Sequence, residues 1–365
     1  MKRAVLLVVA VAALAWAEGP KKEESPVTTQ VTQDAATLAE GALTGTVLEK
    51  RALALVQGSE TGSIDGPPVA GRELFDRVCV SVNAETPGTS SVEVSVRVSL
   101  EGGETGWLPL GVVANPDDAA KLPRSSADAP PGTAKVAIDT VELSGANGKD
   151  VTARLVLHRS GKGESPRVRR VAIVAWPHGK HDPDARTHPA WGKVLDVVER
   201  SQRVEDPGIS MKICSATSLG MVLAFHGFAL ETKRVCHEVL DRQAGIYGNW
   251  ALNVAFAGRL GLDARIARFG SFERLEEEIL AGRPVVITHR WAAGELSGAP
   301  ISSSEGHLVV ARGFTEDGDL VVNDPAADTR KGESVRRVYK RAEIEKTWLG
   351  NADGVCYVIS GGAAR

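Results

Sequence analysis

The sequence predicts an α+β chain in two parts: an antiparallel β-sandwich, then a mixed half in which helices come first and strands after. Three observations carry this. Residues 37–177 alternate apolar and polar side chains over short runs, the two-residue period of a strand with one wet face. Beyond residue 190 apolar positions fall at helical spacing as far as residue 281, and strand-like runs follow. Between the two lies a polar segment punctuated by prolines. A chain of 365 residues has room for two domains, and 43% hydrophobic content with a net charge of −3 lacks the strongly basic signature of a nucleic-acid binder.

In chain order, Lys2 and Arg3 precede an apolar run over residues 4–14, and Ala15-Trp16-Ala17 supplies a small-x-small site before Glu18. This pattern predicts a signal peptide over 1–17, cut after Ala17, and a protein that is secreted, periplasmic or at the cell surface. No cysteine follows the cut to take a lipid anchor, and no later apolar run reaches the roughly 18 residues that span a bilayer. Residues 18–36 are polar and aperiodic, and read as a flexible linker. Residues 37–177 then form the sandwich-like domain, with strands expected at 78–82, 91–98, 134–143, 151–158 and 168–176. Turn signals such as Thr86-Pro87-Gly88 and Asn147-Gly148 separate them. Residues 178–190 form a linker whose three histidines and two aspartates read as a solvated hinge, since no regular element fixes a metal geometry. The two halves are expected to fold separately. The second, 191–365, carries predicted helices at 218–228, 232–244, 250–260 and 272–281, then strands at 285–288, 308–313, 320–323 and 355–359.

The four cysteines, Cys79, Cys214, Cys236 and Cys356, lack the close pairing of a zinc knuckle, so no metal and no cofactor is expected. An exported chain favours disulfides, and whether Cys236 and Cys356 pair is left open. Cys214 stands among small and hydroxyl residues at a predicted helix start. There the unpaired N–H groups and the positive dipole end favour a thiolate. The plainer reading is a small buried core residue. What favours chemistry lies downstream: His307 begins one predicted strand, and Asp324 ends the next, before Pro325. A cysteine, a histidine and an acid that orients it form a thiol-protease arrangement. Gln202, a dozen residues before Cys214, can turn its amide N–H toward an oxyanion. His289 is the rival base, set aside because no Asn-Asp motif follows it on a neighbouring strand. His226 and His237 read as structural or surface residues, and Trp250 and Trp291 as cleft wall or core.

Taken together, Ser201-Gln202, the run Cys214 to Leu223, Gly248-Asn249-Trp250, the run Gly306 to Phe314 and Val321 to Pro325 resemble the bacteriocin-processing-like cysteine peptidases, which have a papain-like fold. Asn83-Ala84-Glu85-Thr86-Pro87 is similar to a stretch in the β-rich N-terminal domain of the exported branch of that family. The resemblance implies Cys214 as nucleophile, His307 as general base, Asp324 as its orienter and Gln202 as oxyanion donor. Ala216 stands where the family has proline, and Ile213 where it often has tryptophan. Bacteriocin exporters fuse this peptidase to a membrane transporter that has no counterpart here, so cleavage of double-glycine leaders does not carry over.

The expectation is an exported cysteine peptidase that cleaves peptide or amide bonds through a thioester on Cys214, with a peptide or protein substrate and no nucleic acid. One alternative is an acyl or amide transferase of the same chemistry. The other is a cell-surface binding protein with an inactive papain-like scaffold. Against the latter, the β half offers only Phe75, Trp107 and Trp176 as aromatic platforms.

Overall fold

The computed structural model describes residues 27–119, 134–159, 161, 163–182 and 187–361. The predicted signal peptide and the start of the 18–36 segment lie outside the described residues.

The first half is built on β1 (Thr29–Asp34), β2 (Arg77–Glu85), β3 (Ser91–Leu100), β4 (Gly148–His158) and β5 (Arg167–Trp176), with shorter strands completing two antiparallel sheets. One sheet runs Ala134–Ala137, Thr140–Leu143, β2, β5, Ala52–Leu55, Thr46–Glu49, with β1 also paired to β5. The other runs Leu108–Ala114, β3, β4, Thr61–Asp65, Ala42–Thr44. Their inner faces meet in a valine-rich core that includes Val80, Val82, Val94, Val96, Leu155 and Ile173. This is the expected sandwich.

Two expectations are corrected here. The linker reading fails for residues 29–36, because β1 is laddered to β5 from Thr29 opposite Ala175 to Asp34 opposite Arg170, and Asp34 caps the short helix after it by accepting from Thr37 N. Its side chains gave no apolar signal, since backbone pairing and not burial of a hydrophobic face fixes it. The predicted single strand over 134–143 is a hairpin, turning at Ile138, whose φ is 63°, and Asp139.

The second half contains α1 (Cys214–Phe225), α2 (Thr232–Val239), α3 (Trp250–Arg259), β6 (Asp263–Arg268), α4 (Phe272–Leu280), β7 (Val285–Trp291), β8 (Ser304–Phe314), β9 (Leu320–Asn323), β10 (Arg336–Tyr339) and β11 (Val355–Ser360). Its six-stranded sheet runs β6-β11-β7-β8-β9-β10, every pair antiparallel. On one face α1 and α3 bury Leu219, Met221, Leu223, Val254 and Phe256 against Val310 and Tyr357. On the other, α4 buries Phe272, Leu275 and Ile279 with Phe314 and Trp348. Helices on a sheet behind a β-sandwich make the chain α+β with a papain-like second half. Among the described residues no helix is long and apolar enough to cross a membrane.

The halves are not separate bodies. β2 is buried on both faces: Val78, Val80, Val82 and Ala84 point into the sandwich, while Cys79 joins the core of the second half. On that second face Asn83 Nδ2 donates to Ala264 O at 2.7 Å and Asn83 Oδ1 accepts from Ala264 N at 3.1 Å, while Ser81 Oγ accepts from Ile266 N at 3.1 Å. The start of the 178–190 segment is also fastened, with His178 Nδ1 2.7 Å from Asp353 Oδ2 and Asp182 N donating to Gly270 O. It does not hinge two free domains.

Asn83 therefore works as a strand-edge mimic. Asn83→Ala leaves a buried N–H and a buried carbonyl of Ala264 without partners, at about 1–3 kcal/mol for each. Urea unfolding should show a loss of about 2–6 kcal/mol, with faster amide exchange at Ala264; an unchanged midpoint would refute the role.

Candidate active site

Cys214 is the first residue of α1. Ile213 at the N-cap provides no side-chain cap, so the dipole end of a buried helix falls on the cysteine. Ser218, one turn along, donates its Oγ–H to Leu308 O at 3.0 Å, which fixes α1 against β8 beside His307. The His307 ring lies close enough to Cys214 to act on its thiol by charge and hydrogen bonding. His307 is 2% exposed and its Nε2 lies 2.8 Å from Asp324 Oδ1, which leaves the Nδ1 side of the ring for the sulfur. Asp324, fully buried beyond the end of β9, accepts further bonds from Ala326 N at 2.8 Å and from Tyr339 O–H at 2.6 Å.

Three groups stand in series, His307 and Asp324 buried and Cys214 half-buried, and their ionisations follow from this setting. Burial pushes the Cys214 thiol up, but the hydrogen bond and charge of His307, with the N–H groups of Leu308 and Ser215, outweigh it and hold the thiol below its ordinary value. Burial pushes the His307 ring down, and the charge of Asp324, their hydrogen bond and Cys214 together raise it to about 10. Burial likewise raises Asp324, and the charge and hydrogen bond of His307 and the hydroxyl of Tyr339 bring it down to about 2. The arrangement favours a thiolate–imidazolium pair backed by a carboxylate.

His289 lies directly across the ladder from His307, with ring centroids 5.5 Å apart, and packs on Trp291 at 4.6 Å. It is fully buried, and neither ring nitrogen has a hydrogen-bond partner among the described residues. Burial and the charge of His307 lower it to about 3, so it stays neutral and has no acid to orient it.

Gln202 opens a 3-10 turn, Gln202–Val204, and is 3% exposed. Its backbone N donates to Pro325 O at 2.8 Å, next to Asp324, while Ser201 Oγ and Arg203 Nε donate to Ala327 O and Ala326 O. Its Nε2 donates to Ser210 O at 2.7 Å, in the loop that leads to Cys214; this uses one of the two N–H groups of the amide. The structure thus brings Cys214, His307 and Asp324 together and docks the Gln202 turn on the loop after Asp324.

Several supporting residues escaped the sequence reading. Asn323 accepts from Arg312 Nη1 at 3.0 Å and donates to Val197 O and Val198 O, so the Asn of the Asn-Asp-Pro run holds the segment leading to Gln202. Ser215 Oγ donates to Asn253 Oδ1 at 3.0 Å and is 3.0 Å from Tyr357 Oη. The available signal was Ser215 and Ser218 at i, i+3 in an apolar helix, where buried hydroxyls need partners. Trp291 is buried core and Trp250 is half-buried. All four cysteines are free, which answers the open question of Cys236 and Cys356. No group of three His, Cys, Asp or Glu side chains among the described residues is arranged to hold a metal ion.

Because Asp324 titrates near 2 when folded and near 3.9 when unfolded, it contributes stability that is present above about pH 4 and is lost as pH falls through 2. Tyr339→Phe removes one hydrogen bond that lowers this pKa. Urea unfolding at pH 7 and pH 3 should show a loss of about 1–3 kcal/mol at pH 7 that shrinks at pH 3. An equal loss at both would mean that Tyr339 acts by packing alone.

Comparison with known proteins gives two family matches. Residues 194–354 match the Peptidase_C39 like family, and residues 15–175 match the Peptidase C39 N-terminal domain. No curated protein matches. Among solved structures, a double glycine motif protease from an AMS/PCAT transporter, in complex with the leader peptide, is 20% identical over 46% of this chain and 94% of its own, with a TM-score of 0.32. A putative C39-like peptidase from Bacillus anthracis is 19% identical over 47% of this chain and 99% of its own, with a TM-score of 0.35.

Proposed function

From the premise that this chain joins a Peptidase_C39 like domain to a Peptidase C39 N-terminal domain, we propose that it is an exported cysteine peptidase that cleaves peptide or amide bonds through a thioester on Cys214. The observation that carries this is His307 bonded to buried Asp324 at 2.8 Å, with the helix that begins at Cys214 docked beside it through Ser218 and Leu308. Cys214 Sγ, as thiolate, attacks the substrate carbonyl carbon, forming the C–S bond and an oxyanion. The second N–H of Gln202 and the Cys214 backbone N–H are the donors that would meet that oxyanion. His307 gives its proton to the leaving amine as the C–N bond breaks. It then takes a proton from water, whose oxygen attacks the thioester and frees Cys214. Asp324 fixes the ring and stabilises its charge throughout.

An amine in place of water would make the same thioester a transferase intermediate. A binding-protein reading has less support, because the aromatic side chains of the first half are occupied. Phe75 and Trp176 are buried, and Trp107 is covered by Arg154 and Arg97, 3.9 and 4.9 Å from its ring centroid. Export rests on the pattern of residues 1–17, which cleavage after Ala17 in a secreting host would test.

A peptide-library digest with the wild type and with Cys214→Ala tests hydrolysis; cleavage by both would remove Cys214 from the chemistry. The ionisation tests the site without a substrate. Iodoacetamide should label Cys214 already at roughly pH 6, below the ordinary thiol pKa of about 8.5, with Cys79, Cys236 and Cys356 slow until unfolding. His307→Ala should move the onset upward in pH. Labelling of native Cys214 no faster than the other three would make it an ordinary packed thiol.

A further inference from the structure

We infer that a cavity between the two halves is a binding site for a small organic anion carrying a phosphate-type group. The cavity, about 180 Å³, is lined by Arg72 of the first half and by Arg265, Arg268 and Arg274 of the second, with Glu277 and Glu278. It is remote from Cys214: β6, which carries Arg265 and Arg268, is the outer strand of its sheet, with β11 and β7 between it and β8.

Charge is the first argument. Of the four guanidinium groups Arg72 and Arg274 have partners, Arg274 with Glu277 at 3.1 Å, and Glu278 is held closely by Arg283. Arg265 reaches Glu278 only at 3.8 Å, beyond hydrogen-bond distance. Arg268 is 2% exposed and donates to neutral acceptors: Asp353 O at 2.8 Å, Thr28 Oγ1 at 2.6 Å and Lys180 O. These bonds use three of its five N–H groups. Asp353 and Asp182 act on it only through space. A guanidinium buried without a close carboxylate is costly, and that is the state of Arg268; Arg265, partly exposed, has only the long pairing with Glu278 at 3.8 Å. An anion in the cavity would answer both charges.

Shape is the second argument. Planar guanidinium forks match oxyanions, and forks arriving from a strand, a helix and the opposite half suit a tetrahedral group better than a planar carboxylate. The volume equals that of about six waters, more than one tetrahedral oxyanion fills. Phe269, also in the lining, gives the remaining space an apolar wall for an organic moiety. Since both halves contribute, such a ligand would clamp the junction at β6.

Inorganic phosphate is the probe. Titrated into the full chain at constant ionic strength with chloride, it should bind saturably at one site in the millimolar range and raise the melting temperature with the same concentration dependence. Arg265→Gln should weaken binding at least tenfold, and so should Arg72→Gln at an exposed residue. Iodoacetamide labelling of Cys214 should be unchanged in both variants, which separates this site from the proposed peptidase chemistry. Binding that does not saturate, or that survives both substitutions, would reveal an adventitious ion only. Tighter binding of succinate than of phosphate would overturn the phosphate-type assignment.

Discussion

The outer edge of β6 is the constraint on which the molecule is organised. An edge strand presents unpaired N–H groups, and left open these invite pairing with another chain. Here the alternate N–H groups of Ala264, Ile266 and Arg268 are each met by a side chain of the first half: Asn83, Ser81 and Gln30. Side chains take the place of a seventh strand. That choice makes β2 a two-faced element, apolar toward the sandwich and small and polar toward the second half.

The same junction reaches the cysteine through α3. Asp139, in the turn of the 134–143 hairpin, accepts from Trp250 N at 2.5 Å, so the first half caps the start of that helix alongside its own N-cap, Asn249, which accepts from Leu252 N. One turn on, Asn253 accepts from Ser215, the neighbour of Cys214, and Ser215 also meets Tyr357 of β11. Position is thus passed from hairpin to α3 to the first turn of α1 by hydrogen bonds among buried groups. Such a network is rigid only when every member is satisfied.

What was legible in the sequence follows from what periodicity can and cannot encode. Cys214 and Asp324 stood out because each stands at the boundary of an element; His307 seemed to begin its strand, although β8 starts three residues earlier, at Ser304. The valines of β2 and β3 gave the sandwich core. Ser81, by contrast, falls at a polar position of the predicted strand 78–82 and Asn83 beyond its end; neither signals burial, since a small polar residue buried against a partner backbone has the same pattern as one in water. β1 was missed for the complementary reason: its ladder to β5 needs no apolar side chains. Asn323 and Tyr339 were invisible because their roles depend on which strands lie side by side in the sheet, and the order β8-β9-β10 is a property of the fold and not of any local window.

The neutrality of His289 completes the electrostatics of the candidate site. Two imidazolium rings 5.5 Å apart in a dry sheet would repel strongly, and only one has a carboxylate. The ring bonded to Asp324 keeps the proton, and the ring packed on Trp291 gives it up. The arrangement then favours a cation on His307 between buried Asp324 and the half-buried sulfur, with the dipole end of α1 behind Cys214. It follows that a polar substitution at Trp291, whose ring packs on His289 and meets His307 edge-on at 5.8 Å, would admit water to both histidines and weaken the hold of the charged ring on the thiol.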